Sequence, residues 1–205
     1  MKYNFIDIGT SDFNTSAFYL EKDPSLTVML VEPLTFYLDR LPNHANITKV
    51  NVAISNTNGS SDIYFLSIAD IVKYDLEQCT RGCNKIGIPH ISIEYELDRR
   101  NLPRDLIKKR LVKTITFQEL CKQYDIEFID TLKIDTEGHE EYIMPGVLET
   151  IQQGLIINQI QFENQEHLGN KKFLDSLVLE FINLGYQLSY LGADVVLKKI
   201  NLAIV

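Results

Sequence analysis

Apolar runs and amphipathic stretches alternate along this chain from one end to the other. Asn4-Phe5-Ile6-Asp7-Ile8 reads as a first strand, and Gly9-Thr10-Ser11-Asp12 punctuates it before a helix over Ser16 to Glu21 that Thr15 or Ser16 can cap. Thr27 to Val31 predicts a second strand, stopped at Glu32-Pro33 because proline removes a backbone donor, and a helix follows from about Leu34 to Leu41. A third strand lies within Ile47 to Ile54 and closes at the turn signal Ser55-Asn56-Thr57-Asn58-Gly59, after which Ser61 to Leu66 alternates as a further strand. Residues 67 to 110 break the rhythm, mixing Cys79, Gly82, Cys83, Gly87 and Pro89 with a charged run from Glu94 to Arg110. A long stretch without regular structure inside a domain usually serves function or motion, so this one is expected to be an insertion that covers an active site.

The alternation resumes with a strand over Val112 to Ile115 and a helix over Phe117 to Tyr124, capped by Thr116. The stretch Leu132-Lys133-Ile134-Asp135-Thr136-Glu137-Gly138-His139-Glu140-Glu141 follows, an apolar run from about Thr131 that ends abruptly in acids and reads as a buried parallel strand. A helix over Val147 to Gln153 stops at Gly154, and Leu155 to Phe162 makes the next strand, ending in Glu163-Asn164-Gln165-Glu166-His167. Phe173 to Leu184 is an amphipathic helix closed by Gly185, and Tyr186 to Tyr190 pairs with Val195 to Lys199 as a terminal hairpin. Strands alternating with helices imply an α/β fold, a doubly wound and mostly parallel sheet with an antiparallel strand at one edge. One domain over residues 1–205 is expected, with the insertion at 67–110.

Composition narrows the partners. The 205 residues are 45% hydrophobic and 23% charged, ordinary globular values, and the net charge of -8 argues against a nucleic-acid partner, which needs a basic face. No apolar run approaches the ~18 residues of a membrane span, and Met1-Lys2-Tyr3-Asn4 leads into a strand rather than a signal peptide. A soluble, cytoplasmic protein without a membrane partner is expected, and the sequence leaves its oligomeric state open. Cys79 and Cys83 stand four apart with Cys121 far away; a structural zinc would need two more ligands, His90 being the nearest candidate, so free intracellular thiols are the simpler reading.

Ligands of open α/β sheets sit beyond the carboxyl ends of the strands, which here carry Asp7-Ile8-Gly9, Glu32 and the acidic stretch after Ile134. The dinucleotide pattern G-x-G-x-x-G would need glycines where Ser11 and Asn14 stand, which disfavours a nicotinamide cofactor. Glu32, 23 residues after Gly9, sits where an acid accepts both hydroxyls of a ribose. A ribose-bearing cofactor without a phosphate is implied. Asp135, Glu137, Glu140 and Glu141 crowd together and require a cation, a proton or hydrogen-bond donors nearby. The positive sulfonium of S-adenosylmethionine suits such a place.

At these residues the sequence resembles S-adenosylmethionine-dependent methyltransferases, and specifically the FkbM family, over roughly residues 4 to 165. The resemblance is carried by Phe5-Ile6-Asp7-Ile8-Gly9, Val31-Glu32-Pro33, Val52-Ala53-Ile54-Ser55, Val112 to Leu120 with Thr116, and above all Leu132 to Glu140. It implies a Rossmann-like class I methyltransferase fold and methyl transfer to a hydroxyl of a sugar, glycan or secondary metabolite. Asp7, Gly9, Thr10, Ser11, Glu32 and Pro33 would hold the cofactor, Ala53 and Ser55 would face the adenine, and Asp135 would lie beside the transfer centre. Ser11 departs from the glycine found there in many methyltransferases. That departure motivates an alternative, a binding or assembly protein that keeps the fold without catalysis.

An aliphatic hydroxyl must lose its proton during attack, to a base or with help from a metal. His139 is the candidate base, a neutral imidazole being the usual one near pH 7. The metal route uses Asp135 with Glu163 and Asn164, where metal-dependent catechol-type O-methyltransferases look similar; such oxygen ligands suit Mg²⁺ or Ca²⁺. Glu137 and Glu140 would orient Lys133 or a substrate hydroxyl, or cap the next helix, where negative charge is favoured. The positive partner of the acids would then be the sulfonium or a divalent ion. The acceptor itself is expected to depend on residues 67–110.

Overall fold

The computed structural model describes residues 1–11, 20–41, 43–76, 78–192 and 194–200, with the side chains of Gln78 and Cys79 left aside. Its strands are β1 (Lys2–Ile8), β2 (Val28–Val31), β3 (Ile47–Val50), β4 (Ala53–Ile54), β5 (Gly59–Leu66), β6 (Lys85–Ile86), β7 (Ile107–Ile115), β8 (Phe128–Ile134), β9 (Ile156–Glu163), β10 (Tyr186–Leu191) and β11 (Asp194–Lys199). The helices are α1 (Thr35–Leu38), α2 (Ile68–Lys73), α3 (Ile91–Arg99), α4 (Phe117–Gln123), α5 (Glu140–Gln152) and α6 (Lys171–Asn183). The helix expected over Ser16 to Glu21, with its cap at Thr15 or Ser16, lies outside the described residues except at its end, as does Asn14.

Seven strands form the main sheet in the order β10-β11-β9-β8-β1-β2-β3. β1, β2, β3, β8 and β9 are mutually parallel, and β11 runs antiparallel to both β9 and β10, so the closing hairpin supplies antiparallel pairing at one edge. β2 is buried at every position and β1 and β8 at most, because helices cover both faces of a parallel sheet. The largest core cluster joins these strands to α4, α5 and α6 through Ile6, Met29, Leu120, Leu132, Met144 and Phe181. Thr116 caps α4 as expected, its Oγ1 accepting from Glu119 N at 3.1 Å. No helix of the described residues is long and apolar enough to cross a membrane.

Four parts of the chain differ from the sequence expectation. The run Ile47 to Ile54 is two strands, not one. The Asn51 side chain donates to the Glu32 and Pro33 carbonyls at 2.9 and 3.0 Å, the chain turns there, and β4 leaves for a second sheet of order β4-β7-β5-β6. The helix expected from Val147 starts at Glu140: burial of Ile143, Met144 and Val147 overrides the breaker signal of Pro145, and Glu140 and Glu141 fill its first turn, where carboxylates are favoured.

Residues 67–110 are not irregular. Ser67 caps α2 and His90 caps α3 through side-chain acceptors, and Leu66, Ile71, Leu76, Cys83, Ile93, Leu97 and Leu106 form a small core of their own. The charged run supports this unit: Glu96 takes both Arg99 and Arg100, at 2.7 and 2.6 Å. β7 begins at Ile107, five residues before the expected strand, because it pairs with all of β5.

Candidate functional site

The site is built first by the register of two strands. Asp7 of β1 lies beside Lys133 of β8, and Lys133 precedes Asp135 by two residues, so all three side chains share one side of the sheet. Lys133 Nζ is 2.7 Å from Asp135 Oδ2 and 4.0 Å from Asp7 Oδ1. Burial works to lower the pKa of this ammonium, but Asp7 and Asp135 outweigh it and hold the pKa above its ordinary value. The cation required by the crowded acids is therefore part of the chain, in addition to any sulfonium or divalent ion. Lys133 is oriented by Asp7 and Asp135; of the roles expected for Glu137 and Glu140, those left are a substrate hydroxyl or the start of the next helix, and Glu140 lies in the first turn of α5.

Gly9 follows β1 at a φ of +86°, and a Cβ there would lie 1.9 Å from the Asp135 carbonyl oxygen. Only glycine lets the ends of β1 and β8 meet this closely. Thr10 Oγ1 donates to Asp7 Oδ2 at 3.2 Å, and Asp7 is 1% exposed. Glu32, 3% exposed at the end of β2, accepts the Ser11 N–H at 3.0 Å and the Leu34 N–H at 2.8 Å. Burial pushes its carboxyl up to about 7 against those two donors. Ser11 adopts the left-handed φ of 38° that glycine would have taken more readily.

Gly9, Ser11, Glu32, Pro33, Ala53 and Asp135 line one cleft, so most of the residues expected around the cofactor are brought together. Gly82, Asn84 and Ile86 line it too, so the segment 67–110 does reach this cleft. Ser55 does not line it. Its Oγ lies 2.9 Å from His139 Nε2, and it opens on an adjacent groove with Asn56, Gln118, Tyr142, Asn170 and Phe173.

His139 is 8% exposed and its ring stacks on Tyr142 with centroids 4.7 Å apart. Burial, reinforced by the Lys85 ammonium, pushes it down to about 4, so the imidazole is neutral at neutral pH. Lys85 Nζ in turn donates to the Leu168 carbonyl at 2.6 Å, joining β6 to the loop after β9. Glu140 has a structural role: its Oε1 accepts Thr136 N at 2.6 Å and Thr136 Oγ1 at 2.8 Å, closing the turn after β8. Glu137 has a left-handed φ of 57° and lies 3.0 Å from His90 Nε2.

Burial, then Glu137, Asp135 and Glu140, push Glu163 up to about 7, so these acids do converge. Asp135 is paired with Lys133, Glu163 with Gln165, and the Asn164 amide donates to Asp175 at 2.8 Å, while Asn164 Oδ1 is buried without a hydrogen-bond partner. Sequence reasoning missed Lys133 as a site residue. A lysine inside an apolar strand, two residues before a strand-end acid, was the signal available.

Residues 3–188 match the family model described as the methyltransferase FkbM domain. A solved structure, methyltransferase FkbM from Methylobacillus flagellatus KT, is similar with a TM-score of 0.55 and 13% identity, over 96% of this chain and 43% of that one. The chain thus spans less than half the length of that relative, and the likeness is one of fold. No curated protein sequence matches the chain. The family match runs through most of the sequence and includes Asp7, Glu32 and the whole acidic stretch after β8, so the chain belongs to the FkbM methyltransferase family.

Proposed function

We propose that this protein transfers a methyl group from S-adenosylmethionine to a hydroxyl of a sugar, glycan or secondary-metabolite acceptor. The observation that carries the reading is the Glu32 carboxylate, buried at the end of β2 and lining a cleft beside Gly9 that has no glycine-rich phosphate loop. An acid so placed accepts ribose hydroxyls. Val52, Ile54 and Ile63 offer an apolar wall for a flat base. Asp7 and Asp135 place two carboxyl groups for a sulfonium, with Lys133 Nζ 4.0 and 2.7 Å from them. Bound there, S-adenosylmethionine supplies an electrophilic methyl group, which the acceptor oxygen takes as the carbon–sulfur bond breaks.

The chain's own residues then have two tasks, alignment and proton removal. The Ser55–His139 pair serves the second. The acceptor hydroxyl passes its proton to Ser55 as the Ser55 proton moves to His139 Nε2, 2.9 Å away. The groove beside Ser55 suits a polyhydroxylated acceptor: Tyr142 and Phe173 offer partly exposed aromatic faces, and Asn56, Gln118 and Asn170 offer amide donors and acceptors. Residues 67–110 form a wall of the cofactor cleft.

Calorimetry with S-adenosylhomocysteine, followed by labelled methyl transfer to a panel of sugars and hydroxylated metabolites, tests the reading. Absence of cofactor binding sinks it. Binding without transfer to any acceptor would instead assign a binding or assembly role to the fold.

A further inference from the structure

Cys83, His90 and Glu137 come from three separate places in the chain. Cys83 lies just before β6, His90 caps α3, and Glu137 sits in the left-handed turn after β8. Their sulfur, nitrogen and oxygen atoms all lie within 4.8 Å of one another, and among the described residues no other three His, Cys, Asp or Glu residues are grouped so closely. Cys83 is 7% exposed and His90 2% exposed. We propose that these three residues bind a borderline divalent metal ion of the Zn²⁺ class in the wall of the cofactor cleft.

The geometry of His90 is the second observation. Its Nε2 lies 3.0 Å from Glu137 Oε2 yet forms no hydrogen bond of acceptable alignment, so a buried ring nitrogen is directed into the space among the three groups. One thiolate, one imidazole and one carboxylate form a mixed donor set that matches Zn²⁺ and not the hard Mg²⁺ or Ca²⁺. Three protein ligands leave a fourth position for water or an incoming hydroxyl. Gly82 and Asn84, on either side of Cys83, and Asp135 and Thr136, just before Glu137, all line the cofactor cleft, so the ion borders it.

Binding requires two proton movements. The Cys83 thiol releases its proton to solvent, and the His90 ring must carry its hydrogen on Nδ1, which now accepts the Ser92 N–H at 3.1 Å. Losing that helix cap weakens the equilibrium by roughly five- to tenfold. That loss is small beside the affinity, on the order of 10⁷ M⁻¹ or more, with which complete four-ligand zinc sites bind.

The test uses the full chain, stripped with a chelator, freed of it and titrated with Co²⁺ as the probe. One equivalent should bind with a near-ultraviolet thiolate-to-cobalt charge-transfer band that Zn²⁺ displaces. Cys83→Ser should lose that band. Glu137→Gln, at a loop position that leaves the small core intact, should keep the band at saturation but weaken cobalt binding at least ~10-fold. A wild-type chain without the band, a band that survives Cys83→Ser, or unchanged affinity in Glu137→Gln overturns the proposal. The site does not depend on the methyl-transfer reading: calorimetry with S-adenosylhomocysteine on the same wild-type sample tests that reading separately.

Discussion

If Glu32 accepts the ribose hydroxyls, cofactor affinity must follow its ionisation. In the empty cleft burial holds this carboxyl at about 7, and a hydroxyl donor favours the charged form. About one tenth of the chains are ionised at pH 6 and about nine tenths at pH 8, and apparent affinity scales with that fraction, so S-adenosylhomocysteine should bind about tenfold more weakly at pH 6. Binding below pH 7 should also release up to one proton, measurable by calorimetry in two buffers of different ionisation enthalpy. The same group affects stability. Its folded value lies above the ordinary 4.5, so the native state holds the extra proton; stability is highest below pH 4.5 and falls as pH rises to 7, by about 3 kcal/mol in all.

Glu32→Gln removes the titration. Glutamine has one acceptor oxygen where Glu32 uses two, so the Ser11 or the Leu34 N–H is left facing an amide donor. Loss of a charge-assisted bond of ~1.5–3 kcal/mol should weaken cofactor binding ten- to about 150-fold at pH 8, with a flat pH profile. Equal affinity at pH 6 and 8 in the wild type, or a wild-type slope in Glu32→Gln, refutes the assignment.

Gly9→Ala should abolish cofactor binding and lower stability by about 2 kcal/mol or more in urea denaturation, because its Cβ would strike the Asp135 carbonyl at 1.9 Å and the φ is left-handed. Lys133→Met leaves Asp7 and Asp135 without their cation and should cost about 2–4 kcal/mol by the same measurement; a change under about 0.5 kcal/mol would show that the ion pair is idle. With any acceptor the wild type methylates, His139→Ala should lower kcat by about 10²–10⁴ while the Kd for S-adenosylhomocysteine stays within a few-fold, and a kcat loss below tenfold would remove His139 as the base.

The parts of the site that could be read from sequence are those fixed by strand ends. β2 is an unbroken apolar run and β1 and β8 are apolar-rich because most of their positions are buried, so Asp7, Gly9, Glu32 and Asp135 are legible from where each run ends. The second sheet could not be read, since Ile47 to Ile54 is apolar enough for one strand and the break depends on where the Asn51 amide finds its carbonyls. The family resemblance puts Ser55, near the third strand end, against the adenine, but it turns to a histidine 84 residues away, a contact that only tertiary packing creates. The sequence offers Cys79, Cys83 and His90 toward a zinc site but no fourth ligand; Glu137 joins Cys83 and His90 because a left-handed residue turns the loop after β8 toward the segment 67–110.

That segment leaves and returns at facing rungs of one ladder, Leu66 opposite Ile107. Its two ends are held together by β5 and β7 whatever lies between, and the entropy of closing a loop grows only with the logarithm of its length. The roughly 40 residues between them are therefore interchangeable in a way the main sheet is not. A longer, shorter or unrelated segment could be grafted between the same two residues while Glu32, Gly9 and Lys133 keep their places. Chimeras made at this junction offer a route to altering one wall of the cleft without rebuilding the main sheet.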